Sequence, residues 1–207
     1  MTLQNRVLPT GEIRAIPARG TFMGNRGILH NDDKTLGASR WKTKGWVTCV
    51  LSFKDRPKRE LMAEGRYTEL FFLDEAVALA AGHRPCSECR HDAYLAWREA
   101  WTKATGTRAF APDMDACLHK ARVRRDRSQV RHAAVADSLP EGAFLLWRDR
   151  PHLVTARGIH PYSPEGYGAP LTRPEGTVTV LTPEPTIAVL RHGFRPELHQ
   201  SATGPAS

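Results

Sequence analysis

Phe71-Phe72-Leu73-Asp74-Glu75-Ala76-Val77-Ala78-Leu79-Ala80-Ala81-Gly82-His83-Arg84-Pro85-Cys86-Ser87-Glu88-Cys89-Arg90 reads as the end of a strand, a short helix marked at both ends, a tight turn and two spaced cysteines. Asp74 follows three apolar residues and is suited to cap a helix N-terminus with its carboxylate. Gly82 supplies the left-handed residue that stops a helix. Between them, the Ala/Val/Leu run is small enough to pack closely on a neighbouring sheet. Pro85 then fixes the turn on which Cys86 and Cys89 sit, a spacing that lets both sulfurs reach one ion.

Upstream, Gly45 to Phe53 is the clearest strand of the first half. Strict alternation puts Val47, Cys49, Leu51 and Phe53 on one, more apolar, face, so Cys49 is expected to point inward. Ile13, Ala15 and Ile16 suggest an earlier strand, and Tyr67 to Phe72 another. Arg19 to His30 carries three glycines beside Asn25 and Arg26. It reads as a structural turn or a basic phosphate cradle, although it matches no nucleotide-binding pattern.

Downstream, Asp92 to Trp101 has helical spacing, with Tyr94, Trp97 and Trp101 along one face as a core stripe, and Gly106 ends the helix. A second helix begins at Pro112 and is expected to run into Arg122-Val123-Arg124-Arg125-Asp126-Arg127-Ser128-Gln129-Val130-Arg131-His132. Ala143 to Trp147 and His152 to Ala156 predict a hairpin. Ile159 to Gly176 reads as a Pro/Gly-rich loop, Thr177 to Leu181 as a strand, and Thr186 to Gly193 as a last helix. Gln200 to Ser207 is expected to be disordered. The fold class is α+β: small antiparallel sheets with the cysteine unit over residues 11–110. A basic helix and carboxy-terminal β elements follow over residues 111–200, across a soft boundary.

The 207 residues suffice for one sizeable core or two small units. No apolar run is long enough to span a bilayer and the first residues carry no secretory signal, so a cytoplasmic location without membrane contact is expected. In that compartment four cysteines (Cys49, Cys86, Cys89 and Cys117) do not form a disulfide framework. A net charge of +8 makes polyanions the natural partners.

The Phe-Phe pair, the Ala-rich helix and the run Ala80-Ala81-Gly82-His83-Arg84-Pro85-Cys86-x-x-Cys89-Arg90 resemble the zinc knuckle of Ada-type DNA-repair methyl-acceptor domains. The chain as a whole is similar to a family of bacterial proteins that carry this knuckle. The Ada-type resemblance covers about a tenth of the chain and implies zinc as cofactor. Cys86 and Cys89 match the later ligand pair, and Cys49, on a strand, matches one upstream ligand. Phe53 stands where the second upstream cysteine would fall. His30 is the first choice for the remaining ligand, with His83, His91 and Cys117 competing. A redox dithiol is the alternative for the Cys-x-x-Cys, without the βαβ context such a pair usually has.

Together these features lead to a zinc protein that contacts nucleic acid, DNA before RNA, with a mainly structural metal. Arg26, Arg122, Arg124, Arg125, Arg127 and Arg131 are the candidate phosphate contacts, with Arg124, Arg127 and Arg131 on one face of the expected helix. One alternative is a nucleic-acid-processing hydrolase, with Glu69, Glu88 or His119 as general base at the metal, or with His119, Arg131 and His132 acting without it. Another is a protein-interaction module built on the arginine helix.

Overall fold

The computed structural model describes residues 2–54 and 60–204. The first sheet is built from six short strands: β1 (Arg6–Val7), β2 (Ile13–Arg14), β3 (Phe22–Asn25), β4 (Val47–Cys49), β5 (Leu70–Phe72) and β6 (Arg84–Pro85). Their spatial order is β2-β1-β5-β3-β4-β6. The sheet is mixed rather than antiparallel, because β1 runs parallel to β5 and β4 parallel to β6. Helix α1 (Glu75–Ala80) lies between β5 and β6, entirely buried.

Local chemistry explains α1. The Asp74 side chain accepts a hydrogen bond from Val77 N at 2.9 Å and so closes the N-terminus. Gly82 (φ +86°) ends the turn beyond the helix, and a Cβ there would lie 2.5 Å from Cδ of Arg122. Glycine is therefore required both by the backbone and by the arginine packed against it. Asp74 also accepts hydrogen bonds from the Tyr167 hydroxyl and from His199 N, which ties the helix start to the far end of the chain.

Helix α2 (His91–Thr105) follows the cysteine turn and stops at Gly106 in the left-handed conformation. Tyr94, Trp97 and Trp101 are buried, the core stripe that the spacing predicts. Helix α3 (Ala111–Arg122) follows it and ends earlier than expected. Val123 is extended, Val123 and Gln129 form a β-bridge, and Arg127 is left-handed (φ +71°). Asp126 accepts from both N and Oγ of Ser128, an Asx turn that competes with helix continuation. Arg124, Arg125 and Arg127 thus sit on a tight turn, not along a helix face.

The second sheet comprises β7 (His132–Val135), β8 (Phe144–Trp147), β9 (Arg150–Thr155), β10 (Gly158–Ser163), β11 (Gly166–Tyr167) and β12 (Thr177–Val180). It is antiparallel, in the order β11-β10-β9-β8-β12-β7. The predicted hairpin is β8–β9, turning through Arg148 and Asp149, both at positive φ. The stretch from Ile159 to Gly176 is not a loop throughout, since most of β10 and all of β11 lie within it. Arg19 to His30 likewise contains β3, not only a turn. Helix α4 (Glu184–Arg191) follows β12, and Gln200–Thr203 forms a short helix α5 where disorder was expected, while residues 205–207 of that stretch lie outside the described residues.

The architecture is α+β. One apolar cluster joins the aromatic stripe of α2 to the second sheet and α4. The other joins the first sheet and α1 to Phe144, Leu153, Tyr162, Tyr167 and Leu181. Each cluster draws on residues from both sides of position 110. Among the described residues no helix is long and apolar enough to cross a membrane.

Candidate metal centre and arginine cavity

Two extended segments set the geometry of the cysteines. β4 ends at Cys49, and β6 leads directly into Cys86. Their parallel pairing aligns Val47 with Arg84 and Thr48 with Pro85, and Cys86 N donates to Thr48 O at 3.0 Å. The turn then closes with Arg90 N on Cys86 O, while Glu88 N donates to Cys86 Sγ at 3.4 Å. The outcome is a group of three half-buried thiols, Cys49, Cys86 and Cys89, whose sulfurs all lie within 4.8 Å of one another.

This donor set fits a thiophilic ion. Tetrahedral zinc with Zn–S of about 2.3 Å places its sulfurs roughly 3.8 Å apart, within the 4.8 Å that bounds the separations here. A hydrogen bond from the Cys49 thiol, with further backbone donors, pulls Cys86 down to about 5 and so favours its thiolate. That same hydrogen bond pushes Cys49 up, and burial pushes Cys89 up. Loading all three sulfurs therefore displaces protons, and affinity should fall as pH falls.

Among the described residues no fourth His, Cys, Asp or Glu joins the group. His30 is placed elsewhere: its Nδ1 is 2.7 Å from Thr68 Oγ1 and its Nε2 3.3 Å from Ala63 O. It braces the loop after β3, which corrects the expectation that it completes the site. His91 is turned to Ser87 O, Cys117 is exposed and outside the cluster, and His83 is fully buried. Glu69 accepts a hydrogen bond from Met62 N and His132 is 3.0 Å from Thr182 O, so both serve local structure.

The face assignment of β4 is reversed from the one expected. Trp46 and Thr48 are buried, whereas Val47 and Cys49 are half-buried and Leu51 is exposed. Alternation held, but both faces carry apolar residues, and the tryptophan won the interior. Its indole is packed by two cations: the guanidinium carbons of Arg26 and Arg122 lie 4.0 and 3.8 Å from the ring centroid. His83 stands 5.3 Å from the same ring.

Arg26 and Arg122 are each only 2% exposed, so they lie in the interior and not on an open basic face. Arg122 donates to Gly82 O and Lys44 O at 2.8 and 2.6 Å, while Arg26 has only longer contacts, 3.4 Å to His83 Nε2 and to Gly11 O. Among the described residues neither forms an ion pair. Asp115, the carboxylate that attracts Arg122, is held bidentately by Arg84 at 2.8 Å. Burial, reinforced by Arg40, pulls Arg26 down to about 9. Burial and Arg26 do the same to Arg122. Both still carry full charge at neutral pH. A desolvated cation–π contact contributes about 2 kcal/mol, less than the several kcal/mol that burying an unpaired ion costs.

The same two residues line a cavity of about 790 Å³ at the junction of the first sheet and the 123–131 turn. Among the described residues, seven arginines and only two carboxylates surround it. Of the latter, Glu12 is paired with Arg14 and Asp126 is engaged by Ser128. Arg124, Arg127 and Arg131 belong to this cavity, as does Arg40; Arg125 is exposed on the same turn outside it. Sequence reasoning named five of these arginines but not their convergence, because they come from segments far apart in the chain. No protein-family model, curated protein or solved structure matches this chain.

Proposed function

We propose that this chain is a zinc-binding protein that contacts nucleic acid, DNA before RNA, with the metal holding the knuckle together. The observation that carries the reading is the convergence of Cys49, Cys86 and Cys89 from three positions into one ligand-sized group. A third sulfur beside the Cys-x-x-Cys favours an ion over a dithiol redox pair. Bound there, zinc would cross-link the end of β4 to the turn before α2. The excess of arginine around one cavity supports a polyanionic partner, as does the net charge.

Strand and metal site are linked through short connections. Trp46 at the arginine cavity and Cys49 at the thiols are separated by β4 alone, and His83 and Cys86 by β6. The distance along β4 is about 10 Å at the usual rise per residue. An ion that fixes the ends of these strands would also fix the floor of the cavity.

Titrating a labelled DNA duplex at several salt concentrations tests this reading. Three to four phosphate contacts from the exposed arginines predict that affinity falls by about 40- to 150-fold between 50 and 200 mM salt. Binding that is absent, or indifferent to salt, contradicts it. A second reading, a nucleic-acid-processing hydrolase, is favoured by one observation: no described residue fills a fourth coordination position. Labelled DNA incubated with the zinc-loaded protein separates the two, and intact DNA is the expected result.

A further inference from the structure

The geometry points to a built phosphate site on the floor of the arginine cavity, where Arg26 and Arg122 receive the terminal phosphomonoester of a nucleic-acid strand. Three observations carry it.

The first is the missing counter-charge. Two buried guanidinium groups share Trp46 with no carboxylate partner among the described residues. Nη2 of Arg26 and Nε of Arg122 are buried N–H donors with no hydrogen-bond acceptor among the described residues. Buried donors are almost always satisfied, and charged ones most of all. The neighbouring imidazole offers no anion, since burial and the two arginines hold His83 well below the usual range and so neutral. A bound oxyanion supplies both the charge and the acceptors that these groups lack.

The second is the gradient of exposure. Arg14, Arg124, Arg127 and Arg131 are exposed at the rim, Arg40 is half-buried, and Arg26 and Arg122 are buried on the floor. The volume, about 790 Å³, accommodates a nucleotide-sized group. A strand running past the opening meets the rim arginines with its diester phosphates. The end of a strand is the part that enters the cavity and brings a phosphate to the floor.

The third is charge complementarity. A phosphomonoester carries close to two negative charges and three strong acceptor oxygens near neutral pH, whereas an internal diester carries one charge. Two floor arginines with Arg40 beside them match the former. Arg26 and Arg122 already lie over the Trp46 ring, so the recognition is of phosphate and not of a stacked base. This inference uses the nucleic-acid reading above for its larger ligand, but the phosphate preference is separable from it.

The test uses the full-length zinc-loaded protein and one short single-stranded DNA in three forms: 5′-phosphorylated, 3′-phosphorylated and hydroxyl-ended. Binding is read by fluorescence anisotropy, with a nucleoside monophosphate as competitor. At least one phosphorylated end should bind about 10- to 100-fold tighter than the hydroxyl-ended strand, the range for hydrogen bonds to a charged group. Arg26→Gln should abolish that preference. Because Arg26 is buried, a second variant keeps the result readable: Arg124→Gln with Arg131→Gln alters only exposed side chains. It should weaken all three strands while preserving the preference for the phosphorylated end. Equal binding of all three forms overturns the inference and leaves nucleic-acid binding standing. A nucleoside monophosphate that binds as tightly as the phosphorylated strand overturns the strand-end assignment in favour of a free nucleotide. Failure of every strand to bind overturns both readings.

Discussion

Cys86→Ser is expected to remove stoichiometric zinc and to lower the melting temperature by about 8–16 °C. The magnitude follows from linkage: an ion present at a thousand times its dissociation constant stabilises the folded state by about 4 kcal/mol. For a chain of this length each kcal/mol shifts the midpoint by roughly 2–4 °C. Cys86 is the central ligand of the three, since it accepts from both the Cys49 thiol and backbone N–H groups. The chain should remain folded, because two apolar clusters, neither of which includes a cysteine, persist without the ion. Cys117→Ser is the control: its thiol is exposed and outside the group, so metal content and melting should match the parent protein. Chelator-treated parent protein should melt with the Cys86 variant, and a variant that retains a full equivalent of zinc would refute the assignment.

Trp46→Ala should destabilise the protein by about 3–5 kcal/mol, the usual range for deleting a buried aromatic side chain. Trp46 is 1% exposed, donates from Nε1 to Thr43 O at 2.9 Å, and is the surface on which Arg26 and Arg122 rest. Losing the ring removes apolar packing and leaves two cations against a void. Trp46→Phe keeps an aromatic face and should lose less than half as much. Denaturant unfolding of both variants measures the difference. A Trp46→Ala protein within about 1 kcal/mol of the parent would mean that the site has collapsed without cost, contrary to what close-packed cores allow.

The parts of the fold that the sequence announces are those with local causes. Asp74 and Gly82 bound α1 through a cap and a left-handed turn, and Gly106 ends α2, each readable without knowing what lies across the core. The aromatic stripe of α2 is legible for the same reason. Assignments that depend on distant partners were not. Which face of β4 is inside depends on Arg26, His83 and Arg122 gathering around Trp46, and alternation alone does not choose between two apolar faces. The arginines after α3 look helical by spacing, yet Asp126 and Ser128 form a turn, and Val123 pairs with Gln129. The prolines and glycines of residues 159–176 suggested a loop, but Pro161 sits within β10 and Gly166 starts β11.

The site divides along the same line. Cys86 and Cys89 are brought together by a turn whose residues are contiguous, and Cys49 joins them through one strand pairing. His30 ends a segment that enters the same region, but its hydrogen bonds to Thr68 and Ala63 hold it elsewhere. The arginine cavity has no local signature at all. Its members come from the first sheet and the residue after β3, the loop before β4, the end of α3 and the turn that follows, and only the packing of Trp46 reveals that they converge.

X-ray absorption at the zinc edge of the purified protein tests the central claim most directly. Three sulfur scatterers at about 2.3 Å, with one lighter ligand completing the shell, is the predicted first coordination sphere. A zinc site with only nitrogen and oxygen neighbours, or protein purified without chelators that holds no zinc, would contradict it.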